Sequence, residues 1–101
     1  MRIQRARGAM DPLAAAKGEI LSYVTSWGCG THAKLHGARD VGYLELLQHL
    51  GVERGSFAQA TIDAALRSLL AERALFAAGP ALVGPGVAYR PLRRADRAEP
   101  I

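Results

Sequence analysis

Apolar positions recur at helical spacing in three places along the chain. Ala16, Ile20, Val24 and Trp27 follow one another at three- and four-residue steps, with Leu13 and Leu21 beside them. That spacing predicts one apolar face on a helix of about four turns. Asp11-Pro12 opens it, since Asp caps well and Pro is favoured at the first helical position. Gly28 is the predicted stop. Tyr43, Leu46, Leu47 and Leu50 lie at i, i+3, i+4 and i+7, predicting a second helix capped by Asp40 and ended by Gly51. Ile62, Ala65, Leu66, Leu69 and Leu70 make the longest stripe and predict a third. Ser56-Phe57-Ala58-Gln59 before it fits a capping box, in which the Ser and Gln side chains satisfy free backbone N–H groups.

Between the first two helices the period is lost. Gly28, Gly30 and Gly37 break up residues 28–40, predicting a loop with a very short strand around Lys34-Leu35. After Leu75 the pattern changes again. Leu75-Phe76-Ala77-Ala78 and Val87-Ala88-Tyr89-Arg90 are short and apolar or alternating. They flank Gly79-Pro80 and Gly84-Pro85-Gly86, which predicts a β-hairpin with a Gly/Pro-rich tip. The expected fold is mostly α with a small β-hairpin, an α+β domain over residues 12–92. A flexible basic arm (1–11) and a flexible basic tail (93–101) flank it.

At 101 residues and half apolar, the chain is sized for one small core. No apolar run approaches the roughly 18 residues of a membrane span, and no apolar stretch follows the arginines of the first ten residues. One cysteine excludes a disulfide framework within the chain, so a reducing cytoplasm is the expected location. The net charge of +4 is unevenly spread. Arg2, Arg5 and Arg7 stand in residues 1–10 without an acid. Arg90, Arg93, Arg94 and Arg97 outnumber Asp96 and Glu99 at the other end. The stretch between is slightly acidic. Basic ends on a near-neutral core suit a polyanion, or serve as solubilising tails.

The order helix, loop, helix, short turn, helix, hairpin resembles a winged-helix domain, the helix-turn-helix variant common in small bacterial transcription regulators. The residues that carry the resemblance are Leu47-x-x-Leu50-Gly51-Val52, Ile62-x3-Leu66-x2-Leu69 and the hairpin from Leu75 to Leu92. Thr61-Ile62, the pair that best fits the start of a recognition helix, comes about nine residues after Val52. Either the third helix begins early at Ser56 or the turn is expanded.

The resemblance implies a three-helix winged helix-turn-helix that binds double-stranded DNA as a homodimer. Its third helix would read the major groove through Gln59, Thr61, Asp63, Ala64 and Arg67. Arg54 and Ser56 would reach phosphate at the helix N-terminus. Arg90 on the wing, with Arg93 and Arg94, would contact the backbone or minor groove.

Other readings compete with that one. Asp63 on a reading face repels phosphate, and Arg67 four residues on could simply pair with it. The tip Pro80–Gly86 carries no basic residue, and Leu82 and Val83 suit a protein groove better than phosphate. A winged-helix module that docks a protein or a second copy is therefore the alternative. Cys29-x2-His32-x3-His36, with Asp40 or His49, has donors for Zn²⁺ or Cu. The bland reading is a Cys packed beside Trp27 and two solvated histidines, and no metal or other cofactor is assigned. Nothing in the sequence has the spacing of a catalytic set, so no enzyme activity is expected.

Overall fold

The structure, a computed structural model, describes residues 11–53 and 57–92, with the backbone alone described at residues 52 and 53. The order is α1 (Pro12–Cys29), α2 (Thr31–His36), β1 (Val41–Gly42), α3 (Tyr43–Leu47), a π-helical segment (Gln48–Glu53), α4 (Gln59–Ala71), β2 (Leu75–Ala78) and β3 (Ala88–Pro91). The fold is mostly α with a small three-stranded antiparallel sheet of order β1-β3-β2. No helix among the described residues is long and apolar enough to cross a membrane.

All three predicted helical stripes face one core. Ala16, Ile20 and Val24 of α1 meet Ile62, Ala65, Leu66 and Leu69 of α4, with Tyr43, Leu46 and Leu50 closing one side. Val41, Leu75, Val87 and Tyr89 bring in the sheet. Nothing polar or charged is buried whole among the described residues. The hairpin forms where the sequence places it, in the register Leu75↔Pro91, Phe76↔Arg90, Ala77↔Tyr89 and Ala78↔Ala88.

Five local expectations are corrected. The first helix runs through Gly28 to Cys29, and Gly28 serves a different purpose. A Cβ there would lie 2.6 Å from Pro91 Cδ, so only glycine lets β3 pack this closely on α1. Residues 31–36 are the helix α2 rather than loop and strand. None of its residues is buried, so it leaves no apolar period to read. It stops at Gly37, whose φ of +95° suits glycine.

Asp40 does not cap the second helix. Val41-Gly42 instead pairs with Tyr89-Ala88 as β1, and α3 starts from Gly42. The helix then continues past Gly51 as a wider π turn to Glu53, with Leu50 fully buried. Finally, α4 begins at Gln59 from Ala58 without a side-chain cap. Ser56 lies outside the described residues, and the capping box is not the start of this helix.

Candidate nucleic-acid interface

Helix α4 has one face in the core and one in solvent. Gln59, Ala60, Ala64, Arg67 and Ala71 are exposed, while Thr61 and Asp63 are half-buried. From Ala60 onward the exposed positions step by four, three and four residues, so they form one stripe. Alanine keeps that stripe shallow, and Arg67 is its one charged side chain.

Two of the predicted base-reading residues are tied back into the fold. The Tyr43 hydroxyl donates to Asp63 Oδ1 at 2.7 Å, and Gln59 Nε2 donates to the same hydroxyl at 2.9 Å. Tyr43 is 3 % exposed, so its ring is core while its oxygen reaches the surface of α4. Burial, and then the bond to Asp63, push the Tyr43 hydroxyl above the usual tyrosine range. Asp63 therefore accepts from tyrosine. Arg67 forms no ion pair with it, and the described side-chain ion pairs are Lys17–Glu72 and Arg39–Glu45. The sequence marks Tyr43 as a core residue, and nothing in its spacing tells of the hydroxyl's partners.

The hairpin carries Arg90, whose guanidinium lies over the Phe76 ring at 4.6 Å. These two residues are directly paired across β2 and β3. Tyr89 Oη donates to the Leu82 carbonyl at 2.8 Å and ties the tip to the sheet. Burial pushes the Tyr89 hydroxyl up to about 12. Leu82 itself is 65 % exposed. Arg54, Ser56, Arg93 and Arg94 lie outside the described residues.

The histidines of the first connection gather round Trp27. His32 stacks on the indole at 4.7 Å between centroids and its Nδ1 is 2.7 Å from Ser26 Oγ. His36 tilts against the same ring at 5.7 Å, and Arg39 covers it at 3.9 Å. Arg39 makes a two-pronged bond to Glu45 at 2.8 and 2.7 Å, and the Tyr23 hydroxyl adds a third at 2.6 Å. These bonds, Arg39's foremost, hold the Glu45 carboxyl below its ordinary range. Cys29 is exposed. Among the described residues no three His, Cys, Asp or Glu side chains cluster as metal ligands would. Trp27 is thus the hub of an aromatic and cationic stack that the sequence reading missed, because its contacts come from polar residues with no apolar period.

No protein-family model, no curated protein and no solved structure matches the chain.

Proposed function

We propose that this chain is a winged-helix domain acting as a small DNA-binding transcriptional regulator, a cytoplasmic homodimer on double-stranded DNA. The observation that carries the reading is the way β1, placed just before α3, joins a hairpin that follows α4 in a sheet of order β1-β3-β2. In that arrangement α3 and α4 are the two helices of the helix-turn-helix and α4 is the reading helix.

Its shallow stripe of Ala60, Ala64 and Ala71 admits close approach to base edges, including thymine methyls. Arg67 is the side chain best suited to a guanine or a phosphate. Gln59 and Asp63 hold the reading helix against α3 through Tyr43, so their part is positional. The arginines of residues 1–10 and 90–101 supply the charge for phosphate that the central stretch lacks.

Fluorescence anisotropy on random duplex DNA tests the reading. Affinity should fall about tenfold or more between roughly 50 and 200 mM salt. Absence of binding at the lower salt would overturn it. A protein-docking module on the same fold is the second reading, favoured by one observation. Phe76 and Leu82 stand 41 % and 65 % exposed beside α4, where a DNA-binding surface is usually polar.

A further inference from the structure

Among the described residues, one edge of the sheet is left open at β2. In the order β1-β3-β2, the strand β2 has β3 on one side and no described strand on the other. Leu92 N donates to the Ala74 carbonyl, which fixes the hydrogen-bonded pairs as 74/92, 76/90 and 78/88. Main-chain groups of Leu75 and Ala77 consequently point away from β3. Among the described residues, no backbone or side-chain hydrogen bond outside the ladder reaches them. An unpaired edge of this kind is a template for another strand.

The edge opens onto a groove of about 470 Å³ between β2, the second half of α4 and the hairpin tip. Leu70, Ala71, Phe76 and Leu82 make its walls, and Arg67 is its one charged lining residue. A second cation, Arg90, lies over Phe76. Among the described residues no carboxylate lines the groove, and Glu72 is engaged by Lys17 and Ser68.

We propose that this groove binds an extended segment of another protein, added to β2 as a further strand, with alternating apolar side chains and a carboxylate that meets Arg67. Charge selects this occupant. The chain's own arginine-rich ends and a second copy of the same edge would each bring positive charge to Arg67. Duplex DNA offers neither apolar side chains nor strand hydrogen bonds to Leu75 and Ala77. Main-chain bonding supplies affinity in this mode, and the pockets for alternate side chains supply selectivity. Strand addition at Leu75 and Ala77 does not require DNA binding, but the groove shares Arg67 and Ala71 with the proposed reading face, so peptide and DNA would compete there.

A synthetic eight-residue peptide alternating valine and aspartate is the probe, followed by amide exchange and amide NMR shifts on the full chain. Its binding should protect the Leu75 and Ala77 amides. A peptide of the same sequence N-methylated on alternate residues keeps its charge and loses one set of strand donors, and should bind about tenfold more weakly. Ala77→Pro removes an outward-facing N–H from an edge position where proline is tolerated, and should have a similar effect. Leu82→Asp, at an exposed position, provides a second variant that leaves the core untouched and should also weaken the peptide. Equal binding of the N-methylated peptide, or shifts confined to the arginine-rich ends, would overturn the proposal. So would equal protection of the same two amides by random duplex DNA, which would make the groove a nucleic-acid surface.

Discussion

The Tyr43 hydroxyl donates to Asp63 across the packed pair α3 and α4, 20 residues apart in sequence and 2.7 Å apart in space. Gln59 completes the clasp from the first turn of α4. The relative setting of these two helices therefore rests on a polar contact at the rim of an apolar core. Tyr43→Phe retains the buried ring and deletes the shared hydroxyl. It should cost about 1–2 kcal/mol, the scale of lost side-chain hydrogen bonds, in urea unfolding. Under the DNA-binding reading it should also weaken DNA while leaving the salt slope unchanged, since no phosphate contact is removed.

Arg67→Ala should do the reverse. Arg67 is exposed and outside the described ion pairs, so stability should stay within about 0.5 kcal/mol of the parent. The slope of log affinity against log salt should fall by about one if Arg67 meets a phosphate. An unchanged slope with lost affinity would point to a base contact instead.

Gly28→Ala sets helix propensity against packing. Alanine is better than glycine in a helix interior by about 1 kcal/mol. Its Cβ would nevertheless fall 2.6 Å from Pro91 Cδ, on a ring that cannot swing away. The variant should be destabilised by about 1–3 kcal/mol, the usual cost of overpacking, and thermal unfolding will give the sign.

Acid should act partly through Glu45. Its carboxyl is held low by Arg39 and Tyr23, so the folded state binds a proton less readily than the unfolded one. The stability this supplies is complete above the ordinary carboxylate range and is lost as pH falls through the lowered folded value. Unfolding midpoints measured from pH 7 down to about pH 3 should show a steeper acid limb for the parent than for Glu45→Gln.

Alkali should act through the tyrosines. All three hydroxyls titrate above the usual tyrosine value, chiefly through burial, with Tyr89 pushed up to about 12. Raised folded values supply no pH dependence below the unfolded value near 10. Stability should fall as pH rises from there toward 12. Tyrosinate absorbance at pH 10 should report fewer than half of the side chains ionised, and Tyr89→Phe should make the alkaline limb shallower.

The three apolar stripes and the hairpin were legible because burial on one face of a regular element leaves a fixed period. Ile20, Leu46, Leu66 and Tyr89 are all core as their spacing requires. Helix α2 was not legible, because its contacts are made by His32 and His36 on Trp27 and none of its residues is buried. Nor was β1, whose two residues are too few to alternate. The candidate site was readable only in part. Arg67 and Ala64 emerge on the open face of α4, whereas Gln59 and Asp63 turn back to a tyrosine whose ring alone was visible as a core position.

Local order and periodicity thus sufficed for the three helices that bury an apolar stripe, for the hairpin, and for the side chains by which these fill the core. These follow from near neighbours along the chain and from the need to bury one face. Tertiary packing alone decided that Gly28 yields to Pro91, that Val41-Gly42 joins β3, and that Tyr43 holds α4 by its hydroxyl. Among the described residues it also left the β2 edge open. Each is a contact between residues distant in sequence, set by where the core brings the elements together, and such contacts leave no period for a sequence to display.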